Sequence, residues 1–320
     1  MTTLPFAIAH VGTTPIKCQG IKTKLVPFIF SSVCWKPTGE ARWIEPFLGS
    51  GVVGLNLAPP RALLADTNKH IIGFYLAIQR GDMNRESARE FLECEGKKLA
   101  AGGAEFYYEV RKRFNEKQSP FDFLFLNRSC FNGVMRFNRH GHFNVPFGHK
   151  PQRFAPAYVT KIVNQIGWVA KQMQGKDWEF RVSHWEETLA QATPNDFVYL
   201  DPPYIGRHAD YFNAWDLGEA ERLAETANGL MCGYALSMWL ENRYRKNDHI
   251  ALSWAEGELR ICSHFYHVGS SESLRNEMDE ALVIKPGFAT PDVGKQRTKQ
   301  QPTLDLQLKL AVERRALYQA

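Results

Sequence analysis

The chain has 320 residues, 44% of them apolar and 23% charged, with a formal net charge of +5. That is enough apolar material for one large core or two unequal domains, and no run approaches the ~18 apolar residues that cross a bilayer. The start, Met1 to Gly12, lacks the basic region of a secretory signal, and the six cysteines (Cys18, Cys34, Cys94, Cys130, Cys232 and Cys262) form no C-x-x-C pair. Neither a zinc site nor a disulfide framework is therefore expected, and the thiols read as those of a reduced, cytoplasmic protein.

In chain order, Arg42 to Phe47 reads as a buried strand that ends in a loop of small residues, Leu48 to Gly51, with a helix starting at Val52. Arg61 to Asp66 is a second short strand that ends in an acid. Strand, glycine turn, helix, strand is a βαβ unit, which implies a parallel sheet with helices on both faces. From His70 to about Lys117 the pattern is helical and charged; Phe121 to Leu126 is an apolar run. Asn127 to Lys150 loses helical period and suggests loops or a hairpin. Helical periodicity returns from Ala157 to Gln174. Phe197 to Leu200 is a strand that runs into Asp201, Glu219 to Leu230 a helix, Cys232 to Ser237 a strand, and Glu280 to Lys285 a late strand stopped by Pro286 and Gly287. Beyond Pro291 the chain is polar and then amphipathic, the pattern of a tail or surface helix.

Charge is unevenly placed. Arg111 to Arg153 holds nine Lys/Arg against two acids, a segment of +7 that leaves −2 for the rest of the chain. A basic block on a near-neutral body suits a polyanion, although a solvated surface face has the same composition. The expected division is 1–69 and 156–290 as a cofactor-binding body, 70–155 as an inserted, mainly helical and irregular recognition domain, and 291–320 as a tail.

Gly49-Ser50-Gly51-Val52-Val53-Gly54 is literally G-x-G-x-x-G. After a strand, this pattern lets backbone approach a ligand, and an acid ending the next strand, here Asp66, accepts from ribose hydroxyls. On these residues alone a nicotinamide-dependent dehydrogenase and a plain structural turn both stay open. Asp201-Pro202-Pro203-Tyr204 shifts the balance. Two prolines fix the backbone just past a strand, so a carboxylate and a rigid carbonyl lie side by side as acceptors for one amino group. Tyr204 adds a flat face on which a base can stack. This set fits a planar amino group on a ring, such as that of adenine.

From about Lys17 to Pro286 the chain resembles the Dam-like family of DNA adenine methyltransferases. The resemblance rests on separate blocks in the family's order: Gln19-Gly20-Ile21-Lys22; Glu45 to Gly51; Leu64-Ala65-Asp66; Leu126-Asn127-Arg128, Phe131-Asn132-Gly133, Arg136-Phe137-Asn138 and Gly141 to Gly148; Asp201 to Tyr204; and Asp279-Glu280-Ala281-Leu282. It implies a Rossmann-like methyltransferase sheet with helices on both faces, S-adenosylmethionine as cofactor, and double-stranded DNA as partner, with no membrane. A cognate restriction endonuclease is a partner it leaves open. By the same resemblance Lys22 binds the cofactor's carboxylate, with Gln19 and Gly20 beside it. Glu45, Pro46, Phe47, Gly49, Ser50 and Gly51 hold the methionine part, Asp66 the ribose, and His184 and Trp185 flank the adenine ring. Asp201, Pro202, Pro203 and Tyr204 receive the target adenine. Arg128, Phe131, Asn132, Arg136, Asn138, Arg139, Asn144, Pro146, Lys150 and Arg153 face the DNA. No metal ligands are expected, and no cysteine nucleophile is required.

The amino nitrogen is a poor nucleophile, because its lone pair is delocalised into the ring. Hydrogen bonds from its two N–H groups to Asp201 and the Pro202 carbonyl favour a pyramidal nitrogen and stabilise the charge that develops on it. The same chemistry on cytosine, RNA adenine or a glutamine amide is the nearest rival. The order of the blocks, glycine loop first, basic insertion next and D-P-P-Y last, favours DNA adenine. A non-catalytic DNA-binding module that keeps the fold is a further alternative, disfavoured by the intact Asp66 and Asp201.

Overall fold

The structure, a computed structural model, describes residues 2–204, 215–242, 247–265 and 277–291. The expected tail helix, 304–318, lies outside them. Helix α1 spans Val26–Ser32, and strand β1 spans Trp43–Glu45. Helix α2 (Val52–Leu57), strand β2 (Arg61–Asp66) and helix α3 (Lys69–Gln79) follow, as the βαβ reading expects. Next come α4 (Arg85–Lys117), α5 (Pro120–Ser129) and α6 (Pro156–Met173), then β3 (Asp177–Val182), α7 (Trp185–Leu189) and β4 (Phe197–Leu200). The series closes with α8 (Leu217–Asn228), β5 (Gly233–Asn242), α9 (Asp248–Ser253), β6 (Glu258–Phe265) and β7 (Glu277–Ile284).

The strands form one seven-stranded sheet in the order β3-β2-β1-β4-β5-β7-β6. The first five are parallel, and β7 runs antiparallel between β5 and β6. Side chains alternate across a strand, so each strand feeds two cores. Trp43, Leu64, Phe197, Tyr199 and Leu282 face the core shared with α1 to α6, whereas Ile44, Leu63, Val198, Leu200 and Val283 face the core under α7, α8 and α9. Strand order reverses between β1 and β4. In open parallel sheets a ligand binds outside the carboxyl ends of the strands at such a reversal.

The insertion is anchored to this sheet. α3 packs on β2 and β3, so the chain leaves the sheet layer only after Gln79. Asn84 opens α4 by accepting from the Glu86 and Ser87 N–H groups, and Ser87 Oγ accepts from the Asn84 N–H, a reciprocal cap. α4 breaks once, at Gly103, where φ is +55°. Arg113 of α4 ties two buried carboxylates, donating to Asp122 of α5 and, at 2.7 Å, to Glu95. Beyond α5 the chain folds back on itself. Asn138 N–H donates to His142 O (2.9 Å), Asn144 N–H to Arg136 O (3.1 Å) and Phe131 N–H to Pro146 O (2.9 Å). The ring of Phe137 stacks on His70 of α3 at 4.9 Å and 12°, so this hairpin stands on the sheet-bound helix.

Candidate active site

Glu45 ends β1, Asp66 ends β2, and Asp201 follows the last residue of β4. Three carboxylates are thus delivered to one edge at the topological switch. The turn after β1 holds Gly49 at φ +49° and Gly51 at φ +65°, in the left-handed region that favours glycine. Leu48 N–H donates to Ala65 O (2.8 Å), which locks the loop against β2. Asp66 then accepts from the backbone N–H groups of Gly49 (2.9 Å) and Asn68 (2.8 Å). Burial raises the Asp66 carboxyl above its ordinary value, against the pull of these two bonds. Glu45 is buried, and its Oε1 accepts from the Trp43 indole at 2.7 Å. Burial pushes its carboxyl up to about 8, opposed by the Trp43 and Gly54 N–H groups. Pro46 and Ser50 are buried, while Phe47 is half-buried and meets Trp215 edge-on at 5.5 Å. Gln19 and Gly20 are exposed beside the loop. Cys18 adjoins Gly49, and burial pushes its thiol up to about 12, so it is inert as a nucleophile.

Asp201 is the centre of a second, denser network. Its Oδ1 accepts from the Lys22 ammonium at 2.6 Å and from the Ser237 hydroxyl at 3.2 Å. Ser237, on β5, lies 2.8 Å from the Tyr199 hydroxyl of β4. Lys22 also donates to the Tyr204 hydroxyl (3.0 Å) and to Gly20 O (3.0 Å). The Tyr204 hydroxyl in turn reaches Glu280 of β7, at 3.1 Å from Oε2 and 3.4 Å from Oε1. Burial works against the Lys22 ammonium, but Asp201, Tyr204 and Glu280 outweigh it and hold its proton well above the ordinary lysine range. Burial raises the Asp201 carboxyl, with Lys22 opposing.

The resemblance assigns Lys22 to the cofactor's carboxylate; in the structure its ammonium lies 2.6 Å from Asp201 Oδ1. Lys22 is buried, and a buried cation is stable only when paired. Trp185 is 2% exposed, belongs to the core under α7 and α8, and donates its indole N–H to Glu219 (3.1 Å). His184 is half-buried at the start of α7, next to Ser183, whose N–H donates to Asp66 O. Sequence reasoning did not assign Glu280, Ser237 and Tyr199 to the site. The available signal was an acid, Glu280, set directly ahead of the apolar run Ala281 to Ile284.

The hairpin residues divide by exposure. Phe131 is 50% exposed; Asn132, held at φ +54°, Pro146, Arg139 and Lys150 are exposed beside it. Arg136 is half-buried, and its Nε donates to Asn144 Oδ1 at 2.9 Å, which fixes the plane of the guanidinium. Asn138 Oδ1 accepts from the His140 and His142 N–H groups, so it shapes the turn. Arg153 stacks over Tyr158 at 4.4 Å and donates to Arg128 O. Arg128 was expected on the DNA, yet only 5% of it is exposed. It lies over Tyr158 and donates to Gln165 at 2.9 Å, because α5 turns it inward against α6. Lys17 joins this basic group. Burial, followed by Arg153 and Arg128, lowers its ammonium to about 8, and Asn127 brackets its backbone with bonds of 2.7 and 2.9 Å.

A Rossmann-like sheet with a D-P-P-Y carboxylate at its switch point and a basic hairpin beside it defines an adenine-directed methyltransferase. The chain belongs to the D12 class of N6 adenine-specific DNA methyltransferases, whose family model matches residues 19–265. It is 31% identical over 268 residues to the DNA adenine methylase of Escherichia coli (strain K12), covering 80% of this chain and 90% of that protein. The DNA adenine methylase of Salmonella typhi matches to the same extent, and that of Vibrio cholerae (strain ATCC 39315) is 29% identical over 258 residues. The protein is an adenine-specific DNA methyltransferase. Among its described residues no helix is long and apolar enough to cross a membrane.

Proposed function

We propose that this site transfers the methyl group of S-adenosylmethionine to the exocyclic 6-amino nitrogen of an adenine flipped out of duplex DNA, at a short specific sequence. The observation that carries this reading is the state of Asp201. Among the described residues, both of its side-chain bonds fall on Oδ1, next to a proline-fixed carbonyl at the sheet's switch point. Oδ2 and the Pro202 carbonyl form the pair of acceptors that two N–H groups of one amino group require.

The cofactor's chemistry is a sulfonium methyl, and it leaves as S-adenosylhomocysteine. The residues present fit it. Glu45, buried, and Asp66, half-buried, are carboxylates that make no ion pair among the described residues, which suits an α-ammonium and ribose hydroxyls. The Phe47 to Gly51 turn leaves room for backbone approach, and His184 borders the far side. Asp201 orients the amino nitrogen and stabilises the positive charge that develops there, an effect for which one well-placed group contributes on the order of 3 kcal/mol. Tyr204 and Pro203 shape the wall against which the base stacks, which returns about 1 to 3 kcal/mol of the unstacking cost. On the DNA side, Arg136 with Asn144, Asn132 and Pro146 face the bases. Phe131 fills the stack, and Lys150, Arg139 and Arg153 take phosphates. Residues 1–69 and 156–290 form the catalytic body and 70–155 the recognition segment, with α3 serving both. Such a substrate places the protein in the cytoplasm with its DNA.

The test is expression in a host free of adenine methylation, followed by mapping of modified adenines across the genome. The wild-type chain should modify one short sequence. Asp201→Ala should modify none, while S-adenosylmethionine affinity stays within about tenfold, because binding and chemistry use mostly different groups. Normal methylation by Asp201→Ala sinks the assignment.

A further inference from the structure

We propose that Glu280 is a positioning residue for methyl transfer: through the Tyr204 hydroxyl and the Lys22 ammonium it fixes Asp201 and the tyrosine ring. This inference rests on the reading of Asp201 given above.

The chain of contacts is continuous. Glu280 is 1% exposed, in the middle of a strand whose next four residues are all buried and apolar. Its two oxygens lie 3.1 and 3.4 Å from the Tyr204 hydroxyl, which is 3.0 Å from Lys22 Nζ, which is 2.6 Å from Asp201 Oδ1. Directions follow from the donors available. Lys22 has only protons to give, so the Tyr204 oxygen accepts from it and the Tyr204 proton points at Glu280. A tyrosine held at its hydroxyl by two buried charges cannot swing its ring, and that ring is the face proposed to receive the base. Lys22 lies 5.0 Å from its centroid.

The target nitrogen becomes positive as it gains a methyl, so a firmly held Asp201 carboxylate acts on the transition state more than on the bound base. Lys22 donates to Asp201 and the Tyr204 hydroxyl donates to Glu280, so loosening Glu280 loosens the carboxylate at the far end of the chain. That effect belongs to turnover and not to ground-state binding.

The experiment measures kcat and KM with labelled S-adenosylmethionine and genomic DNA from an adenine-methylation-free host, for wild type, Glu280→Gln, Tyr204→Phe, the double variant and Asp201→Ala. Glu280→Gln keeps shape and removes charge; Tyr204→Phe keeps the ring and removes the link. Each should lower kcat by about tenfold or more with both KM values within about threefold. The double variant should be no worse than the weaker single one by more than about twofold, because both cut the same chain. A Glu280→Gln kcat within twofold of wild type overturns the proposal, as does a multiplicative loss in the double variant. If Glu280→Gln does not fold, a normal kcat for Tyr204→Phe overturns it, since the link would then be idle. Asp201→Ala separates the two readings. If it stays active, the site itself is misassigned; if it is dead while Glu280→Gln is normal, only the role of Glu280 fails.

Discussion

Glu45 shows how a single buried acid couples binding to protons. Its carboxyl is pushed up to about 8 by burial, so in the free protein at pH 7 it is mostly protonated. An α-ammonium placed against it favours the ionised form. Binding of S-adenosylmethionine at pH 7 should therefore release roughly one proton, and affinity should rise with pH until about 8. Calorimetry in two buffers with different heats of ionisation reads this directly; an apparent enthalpy that does not depend on buffer would refute it. Stability carries the opposite sign. A carboxyl whose folded value lies above the unfolded one favours folding in its protonated form, so its contribution is lost as pH rises from about 4.5 to about 8. Glu45→Gln should remove the proton release and flatten that loss, while weakening cofactor binding by about 2 kcal/mol, typical of a charged hydrogen bond.

At the scale of elements, the interior of the sheet was plain in the sequence and its edges were not. β1, β2, β4 and β5 are buried on both faces and read as short apolar runs ending at the site. β3 and β6 are the two edge strands of the order, and they carry charge at alternate positions, as in Asp177-Trp178-Glu179-Phe180 and Glu258-Leu259-Arg260-Ile261. Polar residues protect an edge from pairing with other chains, and they also break the apolar run that marks a strand. The acids at strand ends were legible because each interrupts a buried run. The route from Lys22 to Glu280 was not, because it joins residues far apart in the chain through a tyrosine hydroxyl. α2 shows the reverse dependence, of a helix on the site. Gly54 lies inside it, where alanine ordinarily gains about 0.5–1 kcal/mol. A Cβ there would lie 2.7 Å from Glu45 Oε1, and that oxygen is pinned by Trp43. Gly73 in α3 has nothing within 4 Å of its would-be Cβ. Gly73→Ala should raise the denaturation midpoint, and Gly54→Ala should lower it together with cofactor affinity. Equal shifts of the same sign would show that Glu45 yields freely.

At the scale of the whole molecule, the sheet is a neutral platform and the insertion its charged face. The segment from Arg111 to Arg153 carries +7 on a chain of net +5. The structure divides that charge into three kinds. Arg113 and Arg128 are spent internally, on Asp122 and Glu95 and on Gln165. Arg136, half-buried, is oriented by Asn144, whose side-chain oxygen accepts from its Nε and whose carbonyl accepts from its Nη2. Lys150 and Arg139 are exposed. On the proposed reading the last two kinds reach DNA, and they should respond differently to salt. Arginine's fork matches the two acceptors on the major-groove edge of guanine, so Arg136→Ala should cost about 1 to 3 kcal/mol on the preferred site and relax one base position. Lys150→Ala should weaken binding to all sequences alike and reduce the slope of log affinity against log salt by about one unit. Arg128→Ala, by contrast, should leave the salt slope unchanged and lower the unfolding midpoint, because it strips a buried partner from Gln165. The measurement is DNA affinity across a salt series, with methylation of every single-base variant of the mapped site. If Arg136→Ala lowers activity equally on all variants, its edge does not read a base. If Arg128→Ala changes the slope as Lys150→Ala does, α5 turns outward on DNA and the division drawn from its burial is wrong.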